Sequence, residues 1–223
     1  MQRSATLSPS PAPLMSVETK KGLFHTKALE FPLNKELPKE TDPTAPLDMH
    51  IVLDETGSMG TMGNEPIESV KTFIEVQRAN GLPIRMSLTR FNLYINPEYT
   101  NVLITDPACD TTTYDPNGMT AAYDALRYVI LTSETPLALV FITDGADNSS
   151  STTSSEIKAL IRRAQDCGWT FEFIGCNLES MAESQRMGMP TSQFPDAPPS
   201  SLPELMRGVS NNLAGMNRAR SSA

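Results

Sequence analysis

From residue 48 onward, short apolar runs alternate with longer stretches in which apolar residues recur every three or four positions. The run MHIVL reads as a short buried strand. PIESVKTFIEVQRANG then places Ile67, Val70, Phe73 and Ile74 on one helical face, with Pro66 near its start and Gly81 at its end. IRMSLTRF alternates at Ile84, Met86 and Leu88 as a second strand, and NVLIT reads as a third. TAAYDALRYVILTSE predicts a helix stopped by Pro136, and PLALVFITDG a central strand running into a turn. Thr153 with Glu156 forms a capping box for SEIKALIRRAQDCG, where Gly168 supplies the stop. TFEFIG is another strand. ESMAESQRMG and LPELMRGVSNNLAGM are two further helices, separated by a proline-rich loop. Strand and helix thus alternate almost to the end, which predicts a doubly wound, Rossmann-like α/β sandwich around a mainly parallel sheet.

The first 47 residues differ. They hold seven of the 18 prolines and sustain neither a strand nor a helix period. Residues 1–47 therefore read as an extended arm, 48–217 as one domain and 218–223 as a tail. Within the arm, LFHTKALEFPL carries more apolar surface than a linker needs, enough to lie against the domain or a partner. The chain of 223 residues suits a single core. Its net charge of -8 is uneven, with 12 basic against 21 acidic residues after position 47, which makes nucleic acid a poor partner. Cys109, Cys167 and Cys176 have no metal-type spacing and read as buried thiols of a reducing compartment. No apolar run approaches the roughly 18 residues of a membrane span, and no secretion signal is visible at the N-terminus. A cytoplasmic or virion location is expected.

Composition leaves the chemistry open; one turn narrows it. In IVLDETGSMG the apolar strand ends in Asp54, Thr56 and Ser58, three oxygen-bearing side chains at alternate positions. A nucleophile elbow needs G-x-S-x-G, but position 56 is threonine, and both histidines, His25 and His50, precede the serine instead of following it. A phosphoaspartyl-transferase turn needs a second carboxylate two residues after the first, and Thr56 cannot serve. No phosphate-loop pattern fits Gly57, Gly60 and Gly63. A hard divalent cation explains the cluster more economically, because Mg²⁺ takes oxygen ligands in near-octahedral array. Two further oxygens stand at suitable places: Thr120, at the N-terminus of a predicted helix, and Asp144, at the end of a second apolar strand. Ligands of doubly wound sheets bind beyond such strand ends.

The chain resembles the von Willebrand factor type A domains that carry a metal-ion-dependent adhesion site. Their motif D-x-[ST]-x-S is matched by Asp54, Thr56 and Ser58, their single threonine by Thr120, and their strand-end T-D-G by Thr143, Asp144 and Gly145. The likeness spans about residues 48 to 217. It implies a metal site of Asp54, Thr56, Ser58, Thr120 and Asp144 holding Mg²⁺ (or Mn²⁺, with Ca²⁺ tolerated). The hydroxyls would ligate directly and the aspartates largely through water, so that the cation keeps enough charge to accept an Asp or Glu side chain from a protein partner. That is recognition, not catalysis. The alternative is a subunit of a larger assembly, a virion component or ring-ATPase adaptor, docking through the arm. Around the site, Glu55 is expected to border the ligand surface and Asp124 to serve its own helix terminus. NSSSTTSS reads as a flexible loop ending in a cap. Met59, Met62, Met119 and Tyr94 form a candidate apolar rim, and Arg85 and Arg90 read as solvated.

Overall fold

In the computed structural model, residues 24–25, 31–39, 45–81, 83–110, 113–175, 178–189, 202 and 206–210 are described. The sheet runs β1 (Phe24–His25), β4 (Tyr94–Leu103), β3 (Ile84–Phe91), β2 (Leu47–Asp54), β5 (Ala138–Thr143), β6 (Thr170–Gly175) in spatial order. β3, β2, β5 and β6 are parallel; β4 runs antiparallel to β3, and β1 antiparallel to β4. The helices are α1 (Glu65–Ala79), α2 (Ala122–Thr132), α3 (Ser154–Asp166) and α4 (Leu178–Met187). The expected doubly wound sandwich is therefore what the chain forms. The chain winds from β2 outward to β3 and β4, then returns to the other side of β2 to add β5 and β6. This reversal opens a crevice at the carboxyl ends of β2 and β5.

Strict alternation divides the core in two. Met49, Ile51 and Leu53 of β2 and Val140 and Ile142 of β5 meet Ile67, Val70, Phe73 and Ile74 of α1. Residues 206–210 are helical, and Met206 and Val209 join this side. On the other face, Val52, Leu139, Phe141 and Phe173 pack beneath Leu126, Val129 and Ile130 of α2 and Ile157, Leu160 and Ile161 of α3. The capping box of Thr153 and Glu156 is present at the start of α3.

Three expectations need correcting. The third strand is longer than NVLIT: the chain turns at Asn92–Leu93 and pairs back along β3 from Tyr94, with register shifts on either side of Leu88. Pro97, which has no N–H to give, is tolerated because, among the described residues, β1 pairs only with Tyr94 and Ile95 on that edge. Arg90 is not solvated but pairs with Glu55 and Glu98 in a largely buried cluster. Arg85 pairs with Asp48.

Residues 31–39 lie across α2 and α3. Leu37 is buried, and its neighbours offer their carbonyls to the domain: Phe31 accepts from Arg127 (2.8 Å), Lys35 from Arg163 (2.7 Å) and Pro38 from the Trp169 indole (3.2 Å). Most of the arm and the tail 218–223 fall outside the described residues, as does Cys176; Cys109 and Cys167 are free thiols. Among the described residues, no helix is long and apolar enough to cross a membrane.

Candidate metal centre

Asp54 is the last residue of β2 and is completely buried. Its Oδ1 accepts the Thr56 amide (2.7 Å), a side-chain turn that swings the chain off the strand, and its Oδ2 accepts the Thr143 hydroxyl (2.6 Å) from the end of β5. A 3-10 turn over Gly57–Met62 follows, anchored by Met59 and Met62 in the α1-side core. Thr56 stands at the N-cap of that turn, yet its hydroxyl makes no capping bond. It faces the Ser58 hydroxyl instead, at 3.2 Å, and Ser58 in turn donates to Asp144 Oδ1 at 2.7 Å. Asp54, Thr56, Ser58 and Asp144 are thus linked in one chain of direct hydrogen bonds, although 86 residues separate Ser58 from Asp144.

Thr120 is brought beside them by its loop. The Tyr114 hydroxyl donates to the Asp54 carbonyl (2.9 Å), the Asp115 amide to Glu55 Oε1 (2.8 Å), and the Asn117 amide to the Glu55 carbonyl (2.9 Å). The Gly57 amide closes the set on the Gly118 carbonyl (3.1 Å). Gly118 has φ of 80°, a conformation that costs glycine little. On its far side Thr120 is held by the loop after β5: its amide donates to Asn148 Oδ1 (2.9 Å), and its carbonyl accepts the amides of Asn148 and Ser149. Among the described residues, the Thr120 hydroxyl makes no hydrogen bond.

Several surrounding residues differ from expectation. Glu55 is buried, 3% exposed, and ties the Thr120 loop to Arg90 instead of facing a ligand. Asp124 and Asp147 serve each other's segments. Asp147 accepts the Tyr123 amide in the first turn of α2 (3.1 Å), while Asp124 accepts the amides of Ser151 and Thr152 (both 2.9 Å). The serine-rich stretch is therefore pinned to α2 and is not a free loop. Met59 and Met62 are core residues; of the suggested rim, Met119 is exposed, 51%, and Tyr94 is half-buried. Sequence reasoning missed Tyr114, Asn148 and Ser150, whose polar side chains in loops carry no periodic signal.

Electrostatics indicate what the cluster lacks. Burial pushes the Asp54 carboxyl up to about 6 against the pull of its Thr143 and Thr56 bonds, and the nearby Asp144 charge adds to the rise. Asp144 is also raised, chiefly by burial, with the Ser58 bond opposing and Glu179 reinforcing. No Lys or Arg among the described residues pairs with Asp54. Nor do any three His, Cys, Asp or Glu side chains gather among them, so soft-metal and carboxylate-cage sites do not fit. Two buried carboxylates joined by the Thr56 and Ser58 hydroxyls, with Thr120 on the adjoining loop, suit a hard divalent cation that retains water.

No protein-family model matches the chain, and no curated protein matches it. Solved structures do. Proximal thread matrix protein 1 from the mussel byssus is similar over 81% of this chain and 48% of its own, with a TM-score of 0.60 and 18% identity. Another structure of that protein has a zinc-occupied MIDAS motif, as metal-ion-dependent adhesion sites are abbreviated. A von Willebrand factor type A protein from Catenulispora acidiphila matches over 74% of this chain and 42% of its own, with a TM-score of 0.53 and 16% identity. The von Willebrand factor domain of a type V pili tip protein from Porphyromonas gingivalis matches over 77% of this chain and 96% of its own, with a TM-score of 0.57 and 13% identity. The chain spans about half the length of the first two and aligns with nearly all of the third. At these identities the likeness establishes architecture: the chain has the von Willebrand factor type A fold.

Proposed function

We propose that this von Willebrand factor type A fold is a metal-dependent protein-binding module, in which a divalent cation, Mg²⁺ first, held by Thr56, Ser58, Thr120, Asp54 and Asp144 receives an acidic side chain from a protein partner. The observation that carries the reading is the convergence of Ser58 on Asp144 beside the buried Asp54. When bound, the cation supplies an electrophilic coordination position for a carboxylate.

The chain's own residues prepare that position. Thr143 and the Thr56 amide hold both Asp54 oxygens, fixing the carboxylate without neutralising it. Thr56, Ser58 and Thr120 contribute no charge, so only two anionic groups oppose a doubly charged ion. A partner's carboxylate then adds attraction where a fully acidic cage would repel it. Recognition without turnover fits the surroundings. His50, the histidine whose side chain is described, is hydrogen bonded to Thr89 four residues upstream of Asp54 and reaches no nucleophile. The competing idea, docking through the arm, loses part of its surface, because residues 31–39 are spent on the domain's own α2 and α3.

The test is a pull-down from native extract with the full chain as bait, run in Mg²⁺ and in EDTA, alongside Asp54→Ala and Thr120→Ala. The reading expects a partner retained by the parent in Mg²⁺ alone. Equal recovery in EDTA and by both variants sinks it.

A further inference from the structure

The sheet face beneath α2 changes character along its length. On that face β2 places Asp48, His50, Val52 and Asp54, and β3 places Arg85, Ser87, Thr89 and Phe91, whereas the opposite face of the same strands is apolar except for Arg90 at the end of β3. Asp48, His50, Ser87 and Thr89 are nonetheless buried, a cost that apolar residues at these positions would avoid. They line an open pocket of about 440 Å³ between β2, β3, β4 and the last turn of α2, whose wall includes Asn101 and Tyr128 of these elements and Glu134 beyond them. His50 precedes Asp54 by four residues, which puts the pocket about 13 Å along β2 from the metal centre, toward the opposite end of the sheet.

Its occupant follows from the groups available. Arg85, the only cation among the described lining residues, is committed to Asp48 through Nε–Oδ1 (2.6 Å) and Nη2–Oδ2 (2.9 Å), so among them an anionic ligand finds no free positive charge. The absence of any three gathered His, Cys, Asp or Glu among the described residues argues against a metal. The buried hydroxyls have partners already, Ser87 accepting the Asn101 amide (2.9 Å) and Thr89 bonding His50, but a lipid or other apolar molecule would make no use of the polar lining at Thr100, Asn101, Glu134 and Thr135. His50 is fixed by Thr89 (Nε2–Oγ1, 2.8 Å), and burial lowers its pKa to about 3, keeping it neutral. What remains is a set of hydroxyl and amide groups that donate and accept and a carboxylate that accepts, beside a tyrosine ring. This complements a neutral molecule bearing several hydroxyls on a C–H frame, and the volume lies within the range of about 300–1,000 Å³ typical of small-ligand sites. We propose that this pocket binds a neutral polyhydroxylated ligand, a monosaccharide or disaccharide, independently of the metal centre.

Saturation-transfer NMR on the full chain tests it, with glucose, galactose, mannose, ribose and sucrose as probes at tens of millimolar, with and without EDTA. Transfer to at least one sugar is expected, unaffected by EDTA. It should vanish in Thr135→Trp, which fills the pocket from a half-buried lining position. Glu134→Gln, at an exposed position that bears little on folding, should weaken the same sugar by up to about tenfold. Three results overturn the proposal: no transfer to any of these sugars, transfer undiminished in both variants, or transfer abolished by EDTA, which would place the sugar at the metal instead.

Discussion

Asp54 is where the sequence's most explicit signal meets its largest energetic cost. Burial pushes its carboxyl up to about 6, well above the ordinary carboxylate range, so the metal-free folded state holds that proton more tightly than the unfolded chain. Below about pH 4 this group imposes no penalty; as pH rises from about 4 to 6 its ionisation removes about 3 kcal/mol of stability. In EDTA, Asp54→Asn should therefore be more stable than the parent at neutral pH, with the difference disappearing below about pH 4. Urea denaturation of both proteins across that window is the measurement. A difference that is flat with pH, or that favours the parent at neutral pH, contradicts the electrostatic account. That Asp54, Thr56 and Ser58 leave the strand end together was legible in advance, because oxygens at alternate positions there serve no packing purpose.

At the scale of elements, the centre depends on a loop whose hold is electrostatic and was not legible. Glu55 lies between two predicted ligands in sequence, yet its side chain turns inward to receive the Asp115 amide and Arg90. Nothing in the local pattern distinguishes that from an exposed glutamate, because the third partner, Glu98, comes from a neighbouring strand whose register depends on bulges. Arg90→Ala leaves Glu55 and Glu98 without their cation in a largely buried setting and should destabilise the fold by about 3 kcal/mol. Glu55→Gln keeps an oxygen for the Asp115 amide and should cost less, about 1 kcal/mol. Chemical denaturation of the two variants checks this ranking, and a milder effect for Arg90→Ala than for Glu55→Gln refutes it. The exchange between Asp124 and Asp147 was hidden for the same reason: each carboxylate caps backbone on another segment.

For the whole molecule, alternation of strand and helix with period-2 and period-3.6 apolar patterning was enough to give the doubly wound architecture, and with it the end of the sheet at which the oxygen cluster lies. The course of residues 31–39 was not readable, since prolines and isolated apolar residues set no period and the contacts are to backbone carbonyls. The polar floor under α2 stood in the alternation of β2 and β3 but looked like an ordinary solvated face until the helix was seen to cover it. What the fold brings together is an oxygen cluster from three distant segments. The most direct test of the central claim is anomalous diffraction from crystals of the full chain grown with Mn²⁺. One strong peak is predicted within about 2.0–2.3 Å of the Thr56, Ser58 or Thr120 hydroxyl oxygens; Mn²⁺ density elsewhere with none at these oxygens, or no bound Mn²⁺ at all, would contradict it.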